Sequence, residues 1–230
     1  MSIVSESPAA ARPMQVRRLG TVPYGDALAL QDELVRRRRA GEIPDTLLLL
    51  EHPHVITLGS GSHDEHVLVS ADERAARGIE LFETGRGGDV TYHGPGQLVG
   101  YPIFDLKPDR QDLHRYLRDI EQALIGVLSD FGLAGTRKEG LTGVWVDGRK
   151  LAAIGVRVSS GWITSHGFAL NVHTDLSFFG TIVPCGIRDH DVGSLSAELG
   201  RPVGMPEAEA AAVRWFETIF NRTAVYARDS

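Results

Sequence analysis

The sequence predicts an α+β domain, a largely mixed sheet with helices distributed around it. Three observations carry that reading. Short apolar and β-branched runs crowd the middle of the chain. Longer segments with apolar residues three and four apart are distributed around them. Two of the apolar runs meet at Asp147-Gly148, the strongest short signal for a hairpin turn.

In chain order, residues 1–13 are small, polar and rich in Pro and Ala, and are expected to be a disordered tail. One domain is expected over 14–230, since nothing repeats and no long linker divides the chain. Residues 15–19 read as a strand. Residues 24–39 read as a helix with Ala27, Leu30 and Leu34 turned to the core. The leucine run 46–50 reads as a buried strand, and 55–58 as another, closed by Gly59-Ser60-Gly61-Ser62. A short helix follows over 70–77, with Ser70 as N-cap, Glu73 completing a capping box and Gly78 as the stop.

Strands are expected over 79–83, 90–93 and 98–104, around a glycine-rich segment. The clearest helix is 112–131, where Leu113, Leu117, Ile120, Leu124, Val127 and Phe131 form one apolar stripe and Gly132 stops it. The hairpin joins 143–146 to 150–158, and 164–172 is a further strand. Helices over 194–199 and 207–221 close the chain, the second after Pro206 with Val213, Phe216 and Phe220 on one face.

The 230 residues carry a net charge of -6, which disfavours a broad grip on nucleic acid or an anionic membrane. No stretch approaches the roughly 20 apolar residues of a membrane span, and no secretory signal is legible, so a cytoplasmic protein is expected. Cys185 is the sole cysteine, which excludes an internal disulfide and a Cys-rich metal cluster. A lone cysteine is ordinarily inert core filler. This one stands between Pro184 and Gly186, in a turn that would present a small side chain at a loop tip.

Two further segments and a histidine stand out. Between Gly85 and Gln97 there are five glycines, an entropic cost that makes sense where backbone passes close to something or takes positive φ. The segment lacks the Lys-Ser/Thr ending of a phosphate loop, and paired tight turns would explain it equally. Lys150 is one of only three lysines and opens an otherwise apolar strand, although a lysine at a strand edge is ordinarily a solvated gatekeeper. His166 lies in Ser165-His166-Gly167-Phe168-Ala169-Leu170-Asn171, which leads towards Cys185.

Together these motifs resemble the lipoyl(octanoyl) transferase family, over nearly the whole chain from about Leu19 to Leu199. The matching stretches are Arg86 to Gln97, Lys150 with Ala153-Ile154-Gly155, His166 to Asn171, and Pro184-Cys185-Gly186-Ile187 followed by Ser194-Leu195. Four motifs in the right order are more specific than any one of them. The sequence departs from the pattern at Gly193, where a Thr is expected, and this puts in doubt a role for a hydroxyl there.

The resemblance implies the fold of the biotin/lipoate protein ligase catalytic domain and an acyltransferase with no cofactor. It implies Cys185 as nucleophile and Lys150 as its partner. It places Arg86, Gly87, Gly88, Asp89, Val90, Thr91, Tyr92, His93, Ala153, Ile154, Gly155, His166, Gly167, Phe168, Ala169 and Asn171 around the substrate. The donor it implies is octanoyl-acyl carrier protein. The implied acceptors are lipoyl domains of 2-oxoacid dehydrogenase and glycine cleavage proteins. For acidic partners, Arg36 to Arg39, Arg115 and Arg118 are candidate docking groups, although such a run at a helix end also suits the helix dipole.

Three other readings compete. An ATP-dependent lipoate or biotin ligase would share the fold but leave Pro184-Cys185-Gly186 unexplained. A non-catalytic acyl-binding protein would tolerate loss of the thiol. A metal hydrolase would need His52, His54, His63 and His66 to converge on one site, which the sequence does not show.

Overall fold

A computed structural model describes residues 10–183 and 192–226. Its frame is an eight-stranded mixed sheet, with a separate three-stranded sheet beside it. The first strand, β1 (Arg12–Thr21), starts two residues inside the stretch expected to be a tail. The helix α1 (Tyr24–Arg39) follows, then β2 (Asp45–Glu51) and β3 (Val55–Leu58). A 3-10 turn at Asp64–His66 precedes α2 (Ala71–Ala76), where the capping box of Ser70 and Glu73 forms as expected. Next come β4 (Glu80–Glu83), β5 (Thr91–His93), β6 (Gln97–Ile103) and the long helix α3 (Leu113–Asp130), capped by Asp112.

The second half contributes β7 (Thr136–Lys138), β8 (Leu141–Val146), β9 (Arg149–Ser159) and β10 (Ile163–Asn171). A 3-10 turn over Leu176–Thr181 precedes α4 (Leu195–Leu199), α5 (Met205–Phe220) and β11 (Arg222–Tyr226). The large sheet runs β11-β1-β2-β6-β10-β9-β8-β7. Its first three strands are parallel and every later pairing is antiparallel. The small sheet, β4-β3-β5, corrects the expectation of a single sheet.

Period-two alternation explains why β2 is a continuous leucine run. Leu47 and Leu49 join the core under α3 and α5, while Leu48 and Leu50 join the core under α1. The sheet is thus covered on both faces. At the start of β2, the buried carboxylate of Asp45 accepts from Arg12, Arg38, Arg222 and the Asp105 N–H. These contacts bind three parallel strands and the end of α1 to one charge. Leu113 departs from its expected place in the apolar stripe of α3 and is exposed.

Candidate active site

A cavity of about 630 Å³ opens between the large sheet, the small sheet and the start of α3. It is lined by Arg86 to Thr91 and His93 from the glycine-rich segment, by Lys150 and Ala153 to Val156 from β9, and by His166 to Ala169 from β10. Three segments far apart in sequence therefore meet around one space. Two of the residues implied as substrate-binding lie behind its wall. Tyr92 is buried in the small sheet's core with its hydroxyl 2.7 Å from His54 Nδ1. Asn171 is buried between Gln97 and the Gly193 carbonyl. Cys185, with Pro184, Gly186 and Ile187, lies outside the described residues.

The glycines are there because backbone packs on backbone. Ser60 and Gly61 donate their N–H groups to the carbonyls of Arg86 and Gly88, and Gly87 donates to the Val156 carbonyl. A Cβ at Gly59 would stand 2.3 Å from the Gly88 oxygen, and one at Gly155 would stand 2.8 Å from the Gly87 oxygen. On the neighbouring strands, a Cβ at Gly167 would come within 2.1 Å of the Gly100 oxygen. Arg86 is itself buried and donates to the hydroxyl and carbonyl of Thr57.

Lys150 lies half-buried on the cavity wall with Nζ 5.1 Å from the Trp145 ring centre, a cation–π arrangement. Its stem crosses Gly143, where a Cβ would stand 2.6 Å from the lysine Cε. The Lys150 backbone bridges to Val192, and its carbonyl accepts from Gly193 N–H at 3.0 Å. The chain on either side of residues 184–191 therefore borders the cavity: Val192 lines it, and Val183 donates to the carbonyl of His66, another lining residue.

The inner end is ringed by His93, His166, Tyr24 and Tyr101, with His52 behind them. Burial lowers the imidazole pKa of His52 to about 4, that of His93 to about 3 and that of His166 to about 4. For His93 the neighbouring His52 adds to the effect, and for His166 the Arg86 charge does. All three rings are therefore neutral near pH 7. His166 has φ of 56°, in the left-handed region that non-glycine residues rarely adopt. Strict alternation would set it beside Phe168 and Leu170; instead its ring meets Tyr101 of the opposite face edge-on at 6.4 Å.

Several lining residues gave no sequence signal of their own. Tyr24, Tyr101 and Trp145 fall in expected elements without any mark of their own, Leu113 and Leu117 in a helix stripe, and Leu141 in no expected element, yet all border the cavity. The histidine pairs do not converge. His52 is hydrogen-bonded to Val22 and Tyr101, whereas His54 is stacked on Phe178. The arginine run is largely occupied: Arg37 pairs with Glu33 and Glu42, Arg38 with Asp45, and Arg39 reaches Ser159. Arg118 pairs with the buried Glu121.

Residues 23–217 match the family described as the lipoyl protein ligase A/B catalytic domain. An octanoyltransferase of Rubrobacter xylanophilus is 55% identical over 90% of this chain and 93% of its own. One from Chloroflexus aggregans is 48% identical over 94% and 99%. The chain belongs to the lipoyl protein ligase A/B catalytic-domain family. Within that family its near relatives make it an acyltransferase rather than a binding module.

Solved structures agree on the fold. Lipoate-protein ligase A bound with ATP superposes with a TM-score of 0.76 at 19% identity, over 94% of this chain and 90% of that one. A bi-partite lipoate protein ligase from Thermoplasma acidophilum, described together with its E2 lipoyl domain, gives 0.70 at 17%, over 96% and 87%. At such identities the likeness speaks for the fold alone.

Proposed function

We propose that this enzyme moves an octanoyl group from acyl carrier protein to a lysine of lipoyl domains, through a thioester on Cys185. The observation that carries the reading is the position of Lys150 on the cavity wall, with its backbone paired to Val192 and Gly193. A free thiol has a pKa near about 8.5, so only a few per cent is thiolate at neutral pH. An ammonium group beside it favours the anion. The thiolate attacks the thioester carbonyl, and the carrier's sulfur leaves taking the proton of the Lys150 ammonium, an exchange of one thioester for another that leaves Lys150 neutral. Backbone N–H groups bordering the cavity other than those of Gly61 and Gly87, which are spent on carbonyls, supply donors for the oxyanion.

In the second half, the acceptor amine must shed a proton, since a lysine has a pKa of about 10.4. Lys150, neutral once the thiolate has been consumed, takes that proton as the amine attacks and Cys185 departs. Thioester to amide runs downhill, so ATP is not required. The apolar part of the cavity holds the acyl chain, where about six buried methylenes contribute roughly 5 kcal/mol. We place the reaction in the cytoplasm, where a lone thiol stays reduced.

Intact-protein mass spectrometry after incubation with octanoyl-acyl carrier protein, without ATP, tests the scheme. The expected result is one octanoyl adduct, absent in Cys185→Ala and discharged by a lipoyl domain. Transfer that appears only with free octanoate and ATP would move the assignment to a ligase. Lys150→Ala is expected to lower the transfer rate by at least about a hundredfold, within the range of acid–base assistance. A full rate in Lys150→Ala or Lys150→Arg would remove the lysine from the mechanism.

A further inference from the structure

Behind the cavity wall, two buried side-chain amides connect separate parts of the site. Gln97 and Asn171 lie opposite each other where β6 pairs with β10, and both are almost wholly buried. Gln97 Nε2 donates to Asn171 Oδ1 at 2.9 Å and to the Tyr92 carbonyl at 3.2 Å. Asn171 Nδ2 donates to the Gly193 carbonyl at 2.9 Å. Both amides therefore end on backbone carbonyls, which only accept, and this fixes which end of each amide is nitrogen. Gly193 N–H in turn donates to the Lys150 carbonyl.

The orientation of Gln97 has a consequence for His93. The atom Gln97 presents to His93 Nδ1, 2.7 Å away, is its carbonyl oxygen. That contact is a hydrogen bond only when the proton sits on Nδ1, so the neutral ring keeps a bare lone pair on Nε2. His93 lines the cavity and Gln97 does not, so the edge carrying Nε2 is the one turned inward. Tyr101 supplies no donor for it: the hydroxyl is committed to His52 Nε2, because His52 Nδ1 must donate to the Val22 carbonyl.

We propose that Gln97 is a positioning residue, fixing His93 as its Nδ1–H tautomer so that Nε2 accepts a hydrogen bond from the incoming amine during acyl transfer. The role in transfer rests on the transferase reading above; the tautomer does not. An acyl thioester offers no hydrogen-bond donor to a bare imidazole nitrogen, whereas an attacking amine does. His93 orients that amine while the proton leaves to Lys150. The same two amides hold the Gly193 carbonyl and, through its N–H, the strand of Lys150, so one polar pair sets both sides of the reacting centre.

The test has a spectroscopic arm and a kinetic arm on the full-length enzyme. Nitrogen-15 NMR of the histidine rings is expected to show His93 protonated at Nδ1 and unprotonated at Nε2 at pH 7. In Gln97→Leu that signature is expected to give way to the Nε2–H form. His93 found as Nε2–H in the unaltered protein overturns the proposal outright. For kinetics, His93→Asn keeps a donor for Gln97 but has nothing at the Nε2 position. It is expected to slow discharge of the acyl adduct to a lipoyl domain roughly tenfold more than it slows formation of that adduct, one hydrogen bond lost in the second step alone. Equal slowing of both steps, or of neither, overturns the amine role. If the unaltered enzyme forms no adduct, the transferase reading and the amine role fail together, and the tautomer stands or falls on NMR alone.

Discussion

Gly143 shows how a single residue without a side chain places the proposed base. Its φ of 143° is outside the range that L side chains readily adopt, and the space its Cβ would fill is taken by Lys150 Cε and the Ala152 carbonyl. The lysine stem lies over that gap and reaches Trp145. Gly143→Ala is therefore expected to lift Lys150 off the wall and reduce transfer about tenfold or more, because misplacing a reacting group by a fraction of an ångström is costly. Single-turnover rates alongside denaturant melts check this. An unchanged rate in a folded variant would show that the lysine has no need of the gap. Gly193 teaches a related lesson. Where the family resemblance leads one to expect Thr, a Cβ would stand 2.7 Å from Glu198 Oε1 and 2.8 Å from Leu151 Cδ1. Glu198 is held there by Arg149. A larger residue there would require the ends of these two side chains to shift, and the glycine spares them that.

Among elements, α3 is the one whose sequence and role match most closely. Its stripe packs Ile120, Leu124 and Val127 into the core, as the three-four spacing requires. The same helix carries Glu121, fully buried, which accepts from Arg118, Arg137 and the Gly143 N–H. That carboxylate fastens the helix to the strand bearing Gly143. Glu121→Ala is expected to cost about 3 kcal/mol, near the lower end for stripping one partner from a buried charge cluster, since both arginines are partly exposed. Urea unfolding measures it, and a loss below about 0.5 kcal/mol would mean that water replaces the contact.

Helices and hairpin were legible because their signals are local. The Ser70 cap, the Gly132 stop and the Asp147-Gly148 turn each depend on neighbours a few residues away. What was not legible depends on distant partners. β11 is five residues whose pairing partner, β1, lies some two hundred positions earlier, and β7 is three residues paired with β8 at the end of the sheet order. The split into two sheets has the same origin, since β3 and β5 pair with each other instead of joining the larger sheet. At the site, glycines and the motif lysine announced themselves. Leu113, Trp145 and Tyr101 did not, because a cavity wall uses the same residue types as a core.

For the molecule as a whole, the inner end of the cavity ties stability to pH. His52, His93 and His166 are neutral in the fold, with pKa values of about 4, 3 and 4, against 6.5 for an unencumbered imidazole. Below pH 6.5 the unfolded chain binds protons at these positions and the folded protein does not, so stability present above that pH is lost as the pH falls. Each ring adds a slope approaching about 1.4 kcal/mol per pH unit, and three together about 4. Asp119 and Glu209, whose carboxyls burial pushes up, act in the opposite sense, but nearer the carboxylate range. Asp45 is opposed by burial yet held below its ordinary value by the Asp105 N–H and its arginines, so it adds to acid loss only lower still. The histidine effect is therefore isolated between about pH 6.5 and 5.5. Urea unfolding across that interval is expected to show stability falling steeply on acidification, and His52→Gln is expected to remove about one proton's share of the slope. A flat profile would mean that these rings are charged in the folded protein. The cavity's inner end would then turn cationic as the pH falls below about 6.5, and His93 would lose the lone pair it offers to an amine over that range.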